Sequence, residues 1–167
     1  EATRIASIPQ YFMNTVLVVV VVIIFGVGLA SMAAYVLARF TFKFRAVIEV
    51  FFIAGLMVPI QAVVVPLYRM AISLGTLNNL YYLGLVNSAF SIPLCIMILT
   101  SFIRQIPDAI EESAIIDGCN RLQIFTRIIL PTIREGLISA AILVGLNTWN
   151  GLLLPLLFLS KDHVKTI

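Results

Sequence analysis

Residues 15–37 read TVLVVVVVIIFGVGLASMAAYVL. No charged residue occurs between Arg4 and Arg39, so this stretch lies inside a long uncharged gap. The run 16–25, rich in Val and Ile, would suit a buried strand in water. Its apolar continuation through Ala38 is too long for a strand. In a bilayer a lone strand would also leave its backbone N–H and C=O groups unpaired, whereas a helix satisfies them internally. Roughly 20 apolar residues of helix cross a hydrocarbon core of ~30 Å, and residues 15–37 supply enough of them.

The rest of the chain has the same character. Of 167 residues, 61% are hydrophobic and 11% charged. Soluble domains sit near roughly 45–50% and 25%. The 11 basic and 8 acidic residues are too few to cover a soluble surface. That excludes an ordinary soluble enzyme and a disordered chain. The pI is about 9.1, but the net charge is only +3 and the basic residues are scattered, which argues against a nucleic-acid partner. Cys95 falls in an apolar segment and Cys119 in a polar loop, with neither disulfide nor zinc spacing. The sequence opens on Glu1, which reads as part of a longer chain. The class that remains is an all-α, polytopic membrane helix bundle.

Three further spans are expected, at about 47–68, 80–102 and 136–158. Glu49 sits at the edge of the second, and Pro59 and Pro66 should bend or break it. Pro93 lies inside the third and Pro155 near the end of the fourth, and a Gly/Asn-marked turn fills 74–79. Basic residues set the orientation. Arg39, Lys43, Arg45, Arg104, Arg121, Arg127 and Arg134 fall on one side, against Arg4, Arg69, Lys161 and Lys165 on the other. The richer side is expected in the cytoplasm. That places 39–45 and 104–134 inside, and 75–79, 161–165 and both ends of this chain outside.

Several residues stand out within the spans. Gly26, Ala30, Ala34 and Ala38 form a stripe of small residues that lets another helix approach closely, either for static packing or for sliding. Gly84, Asn87, Ser88, Ser91 and Cys95 share one face of the third span, which must meet protein or water. They could be interhelical hydrogen-bond glue or line a solute path. Asn147, Trp149 and Asn150 in the fourth suit a sugar-like solute by stacking and hydrogen bonding, while Trp149 alone suits an interfacial anchor. Asn87, Ser91, Asn147, Trp149 and Asn150 are therefore the candidate solute-pathway residues.

Apart from Glu49, no span interior carries an ionisable acid or base, and the only histidine is His163. Ion-driven transporters usually need such groups as relays, which counts against the alternative of an ion-coupled secondary transporter or channel. There is no HExxH and no phosphate-cradling glycine loop. Any energy source for transport would then lie on another chain.

The stretch 104–134 holds most of the charge. Pro107 suits the first turn of a helix, followed by Asp108, Glu111 and Glu112 at its positive end. Gly118 is placed to stop that helix in a left-handed turn. A second short helix is expected over 121–130, ended by Pro131. The bland reading is a hairpin lying on the bilayer. A membrane enzyme or metal site using Asp108, Glu111, Glu112 and Asp117 is a weak alternative, because acids in a first turn are common for dipole reasons alone. The sharper reading is a docking element for a soluble partner, through Ile110, Ala114, Leu122 and Phe125.

The loop resembles the cytoplasmic signature of permease subunits in ATP-binding-cassette importers: Glu-Ala-Ala, three residues, Gly, nine residues, Ile, one residue, Leu-Pro. Glu112-Ser113-Ala114, Gly118, Ile128 and Leu130-Pro131 keep that register over 20 residues, with Ser113 for the usual Ala. Ala34 to Phe40, Val65-Pro66-Leu67-Tyr68 with Leu74-Gly75, Gln105-Ile106-Pro107, and Asn147 to Asn150 with Leu154-Pro155-Leu156 resemble the carbohydrate branch. Gly151 departs from the acidic or polar residue usual after Trp-Asn there.

The resemblance implies a maltose-transporter-like type I importer permease fold, with one more span before Glu1 and one after Ile167. It implies no cofactor on this chain, with ATP and Mg on a partner ATPase. The implied partners are a second permease subunit, an ATPase dimer, an extracytoplasmic solute-binding protein and the bilayer of a bacterial or archaeal inner membrane. It assigns ATPase coupling to Glu111, Glu112, Ser113, Ala114, Asp117, Gly118, Ile128, Leu130 and Pro131.

Overall fold

A computed structural model describes residues 2–161 and 164–166, with side chains from residue 8 onward. His163 and the side chain of Arg4, both weighed in the sequence, lie outside the described residues. Among the described residues the regular structure is helical.

The uncharged gap folds as one long helix. It comprises α1 (Ala2–Val22), a π-turn (Ile23–Val27) and α2 (Gly28–Arg39). Phe40 leaves it in an extended conformation. Next come α3 (Arg45–Leu56) and α4 (Ile60–Ser73), which meet at 92°. The segment expected over 47–68, with a bend or break at its prolines, is two helices at a right angle, parted at Pro59. Pro59 explains the break, because it has no N–H to continue α3 and pushes Val58 away from helical backbone. Pro66, expected to disrupt, instead lies inside α4. Membrane helices accommodate such prolines when neighbours re-satisfy the freed carbonyl.

The central element is α5 (Leu80–Arg104), capped by Asn79, whose side chain accepts the N–H groups of Tyr81 and Tyr82. Its 25 residues span about 37 Å at ~1.5 Å each. Pro93 stays inside it and packs against Gly55 of α3. The loop then supplies α6 (Asp108–Ile116), α7 (Arg121–Ile124), a second π-turn (Phe125–Ile129) and α8 (Leu130–Thr132). Pro131 does not end the second arm; the helix runs to Thr132 and bends by 73° into α9 (Arg134–Asn150). The helix expected over 136–158 also stops early. It ends at Asn150, and α10 (Leu153–Phe158) follows as a separate turn beyond Gly151.

Among the described residues, Ile8–Arg39 and Leu80–Arg104 are each long and apolar enough to cross a membrane. They lie side by side, with Val18, Val22, Ala30 and Ala34 buried toward Leu83, Val86, Ile96 and Leu99 in one core. The approach is close: a Cβ on Gly84 would fall 2.6 Å from Val21 Cγ1. Such contact is what holds helices together in lipid, where apolar burial alone gives no preference for protein over acyl chain.

Candidate functional site

The two ends of α5 differ. At its start, the turn 74–79 meets the segment after α10. At its finish, charges collect: Glu49 bridges Arg45 at 3.2 Å and Arg104 at 2.6 Å. Beside them stands the attachment of the loop 104–134.

Both arms of that loop are closed by their own bonds. Gly118 has φ +84°, the left-handed turn expected there. Cys119 N–H donates to the Ala114 carbonyl at 2.9 Å and Gly118 N–H to that of Ile115 at 3.0 Å. These two bonds satisfy the last carbonyls of α6. The second arm opens on a reciprocal cap: Asn120 Oδ1 accepts Gln123 N–H at 2.9 Å, and Gln123 Oε1 accepts Asn120 N–H at 2.8 Å.

Arg39, the last residue of α2, holds the first arm. Its Nη1 meets Asp108 Oδ1 at 2.6 Å, and its Nη2 donates to the Ile106 carbonyl at 2.6 Å. Nε lies 2.5 Å from Glu111 Oε1, out of line, so that contact is an ion pair rather than a hydrogen bond. The hydroxyl of Tyr35 donates to Glu111 Oε2 at 3.0 Å, and Arg121 Nη1 stands 3.8 Å from the same oxygen. The Arg39 and Glu111 side chains are only 10% and 7% exposed. The guanidinium of Arg121 lies 5.3 Å from the Phe40 ring centroid, and the Tyr35 ring 5.3 Å from that of Phe125.

This arrangement divides the residues singled out in the sequence. Glu112, Ser113, Asp117, Gly118 and Pro131 are exposed. Glu111, Ala114 and Phe125 are buried within the chain. Ile128 and Leu130 pack half-buried on the core. The expected docking face of Ile110, Ala114, Leu122 and Phe125 is thus corrected: Ala114 and Phe125 face the bundle, because α6 turns its Glu111–Ala114 side to Arg39 and Tyr35. Ile110, Ile115, Ile116 and Leu122 remain exposed. Asp108 and Glu111 spend their charge on Arg39, and among the described residues no three acidic, His or Cys side chains converge as a metal set would. Sequence reasoning missed Tyr35 and Arg39 as partners of the loop. The available signal was the cation that ends the otherwise uncharged stretch α2.

A second feature is a cavity of about 370 Å³ beside α5. Asn87, Ser91 and Asn147 line it, together with Thr148, which sequence reasoning did not select. Leu56, Phe90 and Leu94 make part of its apolar wall. Trp149 and Asn150 are not brought to it: Trp149 packs edge-on against Phe12 at 5.4 Å, and Asn150 is exposed. Among the described residues, the hydrogen bonds of the polar stripe stay within α5. Asn87 donates to Leu83, Ser88 to Gly84 and Ser91 to Ser88, all within the helix.

Comparison with known proteins adds to this geometry. The family described as "Binding-protein-dependent transport system inner membrane component" matches residues 26–164. The diacetylchitobiose uptake system permease protein NgcG of Streptomyces coelicolor is 40% identical over 162 residues, covering 97% of this chain and 53% of that protein. The probable ABC transporter permease protein YurM of Bacillus subtilis is 36% identical over 161 residues, covering 96% and 54%. The chain therefore spans about half the length of the curated relatives it matches. A solved bacterial ABC transporter involved in the import of the acidic polysaccharide alginate shares the fold. Its TM-score is 0.81 at 21% identity, covering 94% of this chain and 55% of that one. A family match over most of the sequence, carried on a bundle of the same fold, makes this chain a member of the binding-protein-dependent transport system inner membrane components.

Proposed function

We propose that the chain is the transmembrane permease part of an ATP-driven importer. It forms half of a solute pathway and couples to a cytoplasmic ATPase dimer through the loop 104–134. The other partners are a second permease subunit and an extracytoplasmic solute-binding protein, and ATP and Mg belong to the ATPase. The solute is a sugar or short oligosaccharide.

One observation carries this reading: α6 is fixed from beneath by Arg39, while its outer side is left bare. Ile116 is 86% exposed and Glu112 is exposed beside it. An apolar and acidic ridge held in a set direction suits docking to a protein better than lying on anionic lipid, which the acids disfavour. The family supports the importer class, and the diacetylchitobiose relative supports a carbohydrate. Asn87, Ser91 and Asn147, at the wall of the cavity, are the pathway residues the geometry favours, ahead of Trp149 and Asn150. Glu112, Ser113, Asp117 and Gly118 are the coupling residues it favours, with Ile128, Leu130 and Pro131 shaping the second arm.

Reconstitution tests it. The full-length protein, co-expressed with a second permease and an ATPase, should take up sugar into proteoliposomes only with ATP and the binding protein present. Uptake driven by a proton or sodium gradient without ATP would refute it. Glu112→Lys should lower ATPase retention on purification roughly tenfold, the effect of ~1.4 kcal/mol at the docking face.

A further inference from the structure

We propose that Arg39 and Glu111 join the loop 104–134 and α2 into one lever that pivots at the π-turn Ile23–Val27 and passes movement of the loop to the wall of the cavity. The inference rests on the proposed coupling role of the loop and deepens it by naming two positioning residues and a route.

The ion pair itself needs a reason. Removing two charges from water costs several kcal/mol, and replacing a buried pair by apolar residues is often neutral or stabilising, of order 1–4 kcal/mol. Stability alone therefore does not account for a carboxylate and a guanidinium at 7% and 10% exposure. What the cluster around the pair supplies over an apolar contact is direction, because the bonds of Arg39 to Asp108 and the Ile106 carbonyl, and of Tyr35 to Glu111, hold only in a narrow geometry.

The direction is shared by both arms. Asp108 and Glu111 fasten α6 to Arg39, and Nη2 of the same guanidinium holds the Ile106 carbonyl at the joint between α5 and α6. Movement of α6 about that joint must carry Arg39. Phe125 on Tyr35, and Arg121 over Phe40, tie the second arm to the same end of α2.

α2 can pass a displacement along its length, because it is one uninterrupted helix from Gly28 to Arg39. It meets the core through Ala30 and Ala34 in its middle and through Tyr35 and Leu37 near the end that carries Arg39, so displacement of that end is felt along the helix. At its far end the regular i→i−4 ladder gives way to the π-turn, the kind of irregularity at which helices kink. Within that turn Gly26 approaches α5 so closely that a Cβ would fall 2.6 Å from Ser91 Oγ. Ser91 lines the cavity. Loop, Arg39, α2, Gly26 and Ser91 thus form one continuous contact path from the charged end to the cavity.

A static staple would use the same contacts, so the test must read motion and coupling. Spin labels are attached to the full-length complex at Ala109→Cys on α6, Met32→Cys on α2 and Leu85→Cys on α5, with Cys119 replaced by Ser. The separation 109–32 should stay constant between nucleotide-free and ATP-bound states, while 32–85 shifts. In Glu111→Gln and Arg39→Gln, 109–32 should itself become nucleotide-dependent. Solute moved per ATP hydrolysed, normalised to the ATPase retained, should fall roughly tenfold, within the usual range for coupling between sites. A nucleotide-dependent 109–32 distance in the unaltered complex, a fixed 32–85 distance, or an unchanged transport ratio in both variants would overturn the lever alone. Absence of ATP-driven uptake in the unaltered complex would overturn the proposed function and the lever together.

Discussion

Asn78 Oδ1 accepts the backbone N–H of Ser160 at 2.7 Å and of Lys161 at 2.9 Å, stitching the turn before α5 to the segment after α10. The N–H of Asn78 in turn donates to the Phe158 carbonyl at 2.8 Å. Phe158 is buried and stacked on Tyr82 at 5.9 Å. Asn78 itself has φ 61°, a backbone region that Asn tolerates better than most residues.

Two variants separate these contributions. Asn78→Gly keeps the backbone and loses the side-chain bonds, at about 1–2 kcal/mol. Asn78→Ala loses the bonds and adds left-handed strain of about 1–2 kcal/mol. Thermal unfolding in detergent should rank unaltered protein above Asn78→Gly above Asn78→Ala. Equal melting temperatures for all three would remove the stitch from the account of this end of the bundle.

The contact between α1 and α5 gives a second expectation. A Cβ on Gly84 would lie 2.6 Å from Val21 Cγ1 and 2.8 Å from Val21 Cβ. Gly84→Val should destabilise by about 1–3 kcal/mol through overpacking. Val21→Ala in the same chain should recover part of the loss, since the two sites touch. A double variant as unstable as the sum of the singles would argue against direct contact.

Gly118 tests the elbow of the loop. At φ +84°, Val would cost roughly 1–2 kcal/mol in backbone strain, although open space surrounds the Cβ position. Gly118→Val should therefore reach the membrane at near-normal levels yet lose ATPase retention and uptake, because the second arm is re-aimed. Gly118→Asn should be milder, since Asn accepts left-handed backbone. Full retention and uptake in Gly118→Val would exclude the elbow from coupling.

Orientation is open to direct labelling. Leu74→Cys, in the exposed turn, should react with an impermeant thiol reagent in intact cells, and Arg127→Cys, in the loop, only after permeabilisation. The reverse pattern would invert the proposed topology.

Much of this protein is one-dimensional information. The uncharged gap up to Arg39 specifies a long helix because lipid leaves the backbone no other way to pair. The order Pro107, acids, Gly118 writes α6 and its left-handed stop from nearest-neighbour rules alone. Family membership was likewise legible, because the spacing of Glu112, Gly118, Ile128 and Leu130-Pro131 is a local pattern. What tertiary structure decided is which way these elements face and where the last helices stop. Nothing near Glu111 in sequence says that it, rather than Glu112, turns inward; that depends on Tyr35 and Arg39, far away along the chain. The same holds for the stop of α9 at Asn150 and the removal of Trp149 from the cavity to Phe12. Local sequence fixes backbone preference, whereas the direction of a side chain is chosen by the partner that packing brings to it.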